Sequence, residues 1–324
     1  MFLSYNQWIR KIRRSFTEAS TRQQFAILGT IVSILWVSGL LDRIREERYE
    51  DFRWPTDLDQ HHESTKFSTF PKCRFTENDV FKMMIIVKSS AKNVAMRESV
   101  RRTWGTYRKV QGFEVMPVFI VGRVQNLEVM RRIDREIEQY KDILAIPAID
   151  SYRNNTFKLF GALDYAASPH DCSTPDFVFL VDDDYVVHIP NLVELAKTKK
   201  ASDEIYEGFV FDTSPFRLKL HKHCISLDEY PFSRYPPYVS AGAVFIDSGT
   251  VKKFQKTMRS LKMFPFDDVF TGILAKTIGI SASHNENFVF WSRQVTATEW
   301  KDGVIAVHGF ARSDLENEYK KLFG

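Results

Sequence analysis

Cysteine is scarce in this chain: Cys73, Cys172 and Cys224 are the only ones in 324 residues. Three thiols are too few for a disulfide-stapled scaffold, and their spacing matches no metal-ligand motif. Net charge is also small, at +4. A dedicated nucleic-acid binder carries a strong basic stripe, so no nucleic-acid partner is expected. Internal repeats are absent, and beyond Lys72 no second linker interrupts the chain. Long apolar runs are missing with one exception. Phe25–Leu41 (FAILGTIVSILWVSGLL) contains no charged residue.

That run is at the short end of the roughly 17–25 residues that cross a bilayer. Before it lie Arg10, Lys11, Arg13, Arg14 and Arg22 against Glu18 alone. After it, Arg43, Arg45 and Arg48 are balanced by Asp42, Glu46 and Glu47. Basic excess stays cytosolic, so the run is expected to be a signal-anchor with the C-terminal bulk in the lumen. A cleaved signal peptide is the rival, but it has a shorter apolar region and small residues at its cut site. Leu40-Leu41-Asp42-Arg43 supplies none. The expected order is a cytosolic tail (1–24), a transmembrane helix (25–41), a lumenal stem (42–71) and one folded domain (72–324). The stem is polar, holds Pro55 and the pair His61-His62, and reads as a solvated linker. In a lumenal domain one cysteine pair can bridge, with Cys73–Cys172 preferred. Three free thiols are the alternative.

From residue 82 onward, strand and helix patterns alternate. Lys82–Ser89, Val115–Val121, Ile143–Ile146 and Phe177–Val181 read as strands. Ala95–Trp104, Asn126–Tyr140, Thr156–Ala167 and Asn191–Lys199 read as helices. This predicts an α/β fold with a mainly parallel sheet and helices on both faces. Ligands in such folds bind beyond the carboxyl ends of the strands.

Phe177–Val181 runs straight into Asp182, Asp183 and Asp184. Three acids at the end of a buried strand destabilise one another unless a cation compensates. Carboxylate oxygens suit Mg²⁺ or Mn²⁺. Side chains alternate along extended chain, so Asp182 and Asp184 can share a site while Asp183 faces elsewhere. Asp267 and Asp268, between Phe266 and Val269, fit helix capping or a general base in a partly apolar wall. By spacing alone capping is favoured. Val304–Val307 is a short strand delivering His308, either a structural imidazole or a metal ligand. Arg97 and Arg101 share a helix face four residues apart and can meet phosphate, with Trp104 beside a ring. Surface arginines and a core tryptophan explain the same letters.

Five blocks in order resemble the β-1,3-glycosyltransferase family of galactosyl- and N-acetylglucosaminyltransferases. They are RESVRRTWG (Arg97–Gly105), DSYRNNTFK (Asp150–Lys158), VDDDYVV (Val181–Val187), YPPYVSAGAVF (Tyr235–Phe245) and FDDVFTGI (Phe266–Ile273). TSPFRLKLHK and ISLDEYPFSRYPPYVSAG further resemble the Brainiac-type branch, which builds invertebrate glycolipids. The resemblance implies a GT-A nucleotide-sugar transferase fold, a UDP-sugar donor, Mn²⁺ or Mg²⁺, and type II residence in the Golgi membrane. It makes Asp182 and Asp184 the D-x-D pair, with Asp184 the most direct metal ligand and Asp182 nearer the ribose. His308 becomes a late metal ligand and Asp268 the general base. Arg97, Arg101, Asp182, Asp183 and Lys158 become candidates for holding the donor. The implied acceptor is a glycolipid ending in β-mannose, the implied donor a UDP-N-acetylhexosamine, and a homodimer stays open. Rival readings are a β-1,3-galactosyltransferase, an inactive lumenal chaperone or lectin on the same fold, and a metal-dependent phosphohydrolase. Where many members have Lys-Thr, Lys-Trp and a glycine triplet, this chain has Leu180-Val181, Lys222-His223 and Ala241-Gly242-Ala243. Asn154-Asn155-Thr156 is the sole N-glycosylation sequon in the expected lumenal part.

Overall fold

The computed structural model describes residues 8, 20–56, 67–76, 80–170, 172–200, 203–311 and 313–323. Two compact units emerge, one of Met1–Phe52 with Thr213–Arg234 and one of Arg53–Asp212 with Tyr235–Gly324. Most of the expected cytosolic tail and the His61-His62 pair lie outside the described residues.

In the smaller unit helix α1, Thr21–Val37, is started by a capping box between Ser20 and Gln23. It stops at Ser38, Gly39 turns the chain at φ 78°, and a short helix α2 follows over Leu40–Ile44. The apolar run predicted as one span therefore crosses a helix break. Among the described residues no helix is long and apolar enough to cross a membrane. Glycine is required at the break, because a Cβ on Gly39 would lie 2.4 Å from the Arg217 carbonyl oxygen.

The described residues of the expected loose stem are tied into structure. In the smaller unit Glu47 N donates to Pro231 O, Ser233 N donates to Glu47 O, and the Phe52 ring packs 5.1 Å from that of Phe232. In the larger unit Trp54 Nε1 donates to Lys262 O at 2.6 Å, and Thr69 pairs with Ala145. The polar stretch hides a few aromatic anchors at no regular period, and each finds a ring or carbonyl far along the chain.

The larger unit begins with β1 (Phe81–Lys88), α3 (Val94–Arg102), β2 (Lys109–Val110), β3 (Phe113–Arg123), α4 (Leu127–Tyr140) and β4 (Ile143–Ile149). Next come α5 (Asn155–Ala167), β5 (Phe177–Asp182), β6 (Tyr185–Val187), α6 (Ile189–Lys197), β7 (Tyr206–Phe211) and β8 (Tyr238–Asp247). The chain continues through α7 (Ser248–Met258), α8 (Asp267–Ile278), β9 (Ser283–His284), β10 (Phe288–Val289), α9 (Ala297–Lys301), β11 (Ala306–His308) and α10 (Ser313–Phe323). The main sheet runs β2-β3-β1-β5-β8-β7-β9, with β4 also on β3.

This sheet is mixed, which corrects the mainly parallel expectation. β1, β3, β4 and β5 are parallel, but β8 runs antiparallel to both β5 and β7. The strand-helix alternation ends at α6. β7 and β8 have no helix between them, and strands without a helical crossover pair antiparallel. β1 is buried at every position but the first, as a strand covered on both faces should be. A second sheet, β10-β11-β6, sets His308 opposite Tyr185. A disulfide joins Cys73 to Cys172, and Cys224 is free.

Candidate active site

Neighbouring strands β1 and β5 end in register, Lys88 beside Asp182. Lys88 Nζ is 3.1 Å from Asp182 Oδ1 and 2.8 Å from Asp267 Oδ2. Burial opposes its charge, yet Asp182 and Asp267 more than offset that and hold its pKa above the ordinary lysine value. The cation that compensates the acidic strand end is thus, in part, a lysine of the protein.

Asp268 lies in the first turn of α8 but is not its cap; that position is Phe266, with no side-chain capping bond. Its Oδ1 accepts from Val269 N at 2.7 Å, and it has no salt-bridge partner among the described residues. Burial and the neighbouring Asp267 charge push its carboxyl up to about 7.

Asp184 Oδ2 is 3.1 Å from His308 Nε2, a bond that raises the histidine pKa against the effect of burial. Asp184 Oδ1 is buried with no hydrogen-bond partner among the described residues. An orphaned carboxylate oxygen beside an imidazole suits a hard divalent cation. Asp182, held by Lys88, does not join them. Among the described residues no three side chains of ligating type cluster closely enough to hold a metal. The pair still fits a Mg²⁺-like ion, which takes one or two carboxylates and fills its other positions with substrate phosphates.

Two cavities meet here, sharing Lys88, Tyr152, Asn155 and Asp182 as walls. The larger, about 520 Å³, runs past Ser90, Asp150 and Lys158. The smaller, about 160 Å³, reaches Gly242, Asp268, Phe290 and His308. Gly242 is the one member of the Ala-Gly-Ala triplet without a side chain, and a Cβ there would sit 2.3 Å from the Tyr185 hydroxyl.

Residues 95–286 match the galactosyltransferase family, more than half of the chain. The chain belongs to the galactosyltransferase family. It is 62% identical over 316 residues to the Caenorhabditis elegans β-1,3-galactosyltransferase bre-5, covering 98% of each chain. It is 32% identical over 285 residues to the Drosophila melanogaster β-1,3-galactosyltransferase brn, covering 84% of this chain and 86% of that one. Human β-1,3-galactosyltransferase 1 is 24% identical over 248 residues, covering 76% and 75%. The protein is therefore a glycosyltransferase of the β-1,3-galactosyltransferase family, related to the Brainiac type.

Two predicted donor ligands of this galactosyltransferase-family enzyme are not free to bind phosphate. Arg97 is fully buried and donates to both oxygens of Glu136, each at 2.8 Å, and to Ser89 Oγ at 2.9 Å. Arg101 donates to Asp142 and Glu136. Their helix face turns inward, onto carboxylates of α4 and the residue before β4. Arg97 acts on the site through Ser89, whose hydroxyl donates to Asp183 Oδ2 at 2.6 Å. Asn93 donates to the same carboxylate, which burial pushes up to about 6. Asp183 thus lines the larger cavity with its oxygens already engaged. Lys158 is buried on that wall, donating to Asp150 Oδ1 and Ser89 O. Trp104 is core, its Nε1 donating to Tyr185 O at 3.0 Å.

Lys88, Tyr152 and Asn155 are site residues that sequence reasoning missed. The signal was present for Lys88, since it closes a buried strand at its carboxyl end.

Asn154 stands just before Asn155, with its Nδ2 donating to Ile149 O at 2.9 Å. Thr156 of the sequon is fully buried, its hydroxyl donating to Phe264 O. Modification must then precede folding. One N-glycan is expected at Asn154, read as a single mobility shift on glycosidase digestion that Asn154→Gln abolishes. A shift surviving in that variant would place the glycan elsewhere.

Proposed function

We propose that this protein is an inverting β-1,3-glycosyltransferase using a UDP-sugar and a divalent metal, anchored as a type II protein in the Golgi membrane with its catalytic domain lumenal. The carrying observation is how the carboxylates around Lys88 divide. Lys88 pairs with Asp182 and Asp267, and among the described residues Asp184 keeps an unpartnered buried oxygen beside His308 and Asp268 keeps a raised pKa with no ion-pair partner.

In this reading Asp184 and His308 would hold Mn²⁺ or Mg²⁺, and Asp182, held by Lys88, would lie nearer the ribose of the donor. The ion, when bound, neutralises the charge that grows on the diphosphate as UDP departs. Asp268 accepts the proton of the acceptor 3-hydroxyl while that oxygen attacks the anomeric carbon of the donor from the far side. The anomeric carbon–phosphate oxygen bond breaks, and the configuration inverts to β. Lys88 fixes Asp182 and Asp267, so Asp268 alone of that acidic pair is left to take a proton. Phe290, stacked 6.2 Å from His308, and the exposed Trp291 offer ring faces for the acceptor sugar.

The preferred donor is a UDP-N-acetylhexosamine and the preferred acceptor a β-mannosyl glycolipid. UDP-galactose is the second reading, favoured by the names of the relatives above. A panel of UDP-sugars, offered without acceptor to the full-length protein in detergent, tests the reading. One donor is expected to be slowly hydrolysed with Mn²⁺ and spared with a chelator. Asp184→Ala should abolish the Mn²⁺ dependence of UDP binding, and His308→Ala, which removes a neutral ligand, should weaken it less. Unchanged metal dependence in Asp184→Ala would remove that residue from the site.

A further inference from the structure

We infer that the loop of residues 213–223 is a membrane-docking surface, seating Phe216, Leu218 and Leu220 in the lipid leaflet at the C-terminal end of α1. The inference rests on reading α1 as the membrane anchor.

The loop alternates, but in the reverse of the soluble sense. Phe216, Leu218 and Leu220 are 48%, 43% and 84% exposed, while Arg217 between them is 2% exposed. In water an alternating segment puts its apolar residues inward and its cations outward. Here a guanidinium takes the interior, with every N–H satisfied. Nε donates to Glu46 Oε1, Nη1 to Ile225 O and Ser226 O, and Nη2 to Tyr230 O and Phe232 O. Five donors matched by five acceptors fix this inside-out orientation. Scattered exposed apolar side chains need no explanation. A fixed row of them, held outward by a buried arginine, does.

Continuity with the anchor identifies the occupant. Lys219 N donates to Val37 O, the last residue of α1, at 2.9 Å. Lys219 Nζ pairs with Asp42 and lies 5.7 Å from the Trp36 ring centroid. Trp36, Leu40 and Ile44, at 54%, 51% and 81% exposed, extend the apolar surface from helix to loop. Lys222 is exposed beside the row, as a cation at headgroup phosphates would be. A bilayer is thus the surface that meets the helix, its exit and the loop together.

Nitroxide labels on the full chain in phosphatidylcholine nanodiscs test this, in a Cys224→Ser background because Cys224 is the free thiol. Labels replace Leu220, Ile31 of α1, and Lys256, an exposed position of the larger unit. Collision with dissolved oxygen, which partitions into lipid, is compared with collision with a water-soluble nickel chelate. The oxygen-to-nickel ratio at Leu220→Cys should exceed that at Lys256→Cys several-fold. A ratio at 220 equal to that at 256, with a lipid-like ratio at Ile31→Cys, would overturn the docking surface and leave the anchor standing. Water-like ratios at both 31 and 220 would overturn the two together. Low collision with both reagents at 220 would mean that protein covers the loop, and would also overturn the inference.

Discussion

Asp268→Asn is expected to fold, to bind UDP with Mn²⁺ like the parent, and to transfer sugar at least about a hundredfold more slowly. The substitution keeps size and shape but cannot accept a proton at neutral pH. Capping does not explain the residue, because Phe266 holds the cap position. What remains of a structural role is a first-turn acid facing a helix N-terminus, worth about 0.3–1 kcal/mol. Against that, a carboxyl pushed up to about 7 is ionised at a disadvantage in the fold, and asparagine relieves it. Stability should therefore hold or rise while rate collapses, a split that a structural residue does not give.

The pH profile carries the same assignment. Asp268 works as a base only when ionised, so rate should fall as pH drops through the region of its raised pKa. An ordinary aspartate, near pH 3.9, would leave rate flat between pH 5 and 7. A bound divalent cation draws the midpoint lower. In Asp268→Asn the part of the acid limb that Asp268 sets should vanish, leaving only the part set by protonation of His308. Near-normal transfer by that variant would return Asp268 to a structural role, and lost UDP binding would make it part of the donor site.

The parallel half of the sheet was legible because each strand is a short apolar run and each helix has a clear period. Phe177–Asp182 shows this best, five buried residues opening into the acids. The antiparallel half was not legible. β8 contains Gly242 and small residues and carries no sign of which way it runs. The acids and His308 were visible as letters, but their division of labour depends on Lys88, which looks in sequence like the end of any strand. Arg97 and Arg101 misled for a related reason. A helical face shows which residues point together, not whether carboxylates 35 to 41 positions away wait beneath them. The orientation of Phe216–Leu220 was not legible either, because it is set by Arg217 taking the inside among carbonyls farther along the chain.

Lys88→Met should produce the largest loss of stability of any change at the site. Lys88 is buried between two carboxylates, and the Asp267 side chain is only 11% exposed. Removing one partner of a buried ion pair leaves an uncompensated charge and costs about 3–5 kcal/mol. Most of that belongs to Asp267, because the Asp182 side chain is 40% exposed and water screens its share. The loss should depend on pH in a definite direction. Without the ammonium, the Asp182 carboxyl, which burial already holds above its ordinary value, loses the charge that opposes that rise. The folded protein then binds the extra proton, so the deficit relative to the parent shrinks as pH falls and grows as pH rises. Denaturant unfolding of both proteins from pH 5 to 8 reads this directly. Adding Asp267→Asn to Lys88→Met removes the orphaned charge and should recover part of the stability, whereas two independent losses would add. Recovery would still leave transfer impaired, because Lys88 also holds Asp182 at the cavity that the donor is expected to occupy. A Lys88→Met protein as stable as the parent at neutral pH would mean that water, not this lysine, compensates the acids.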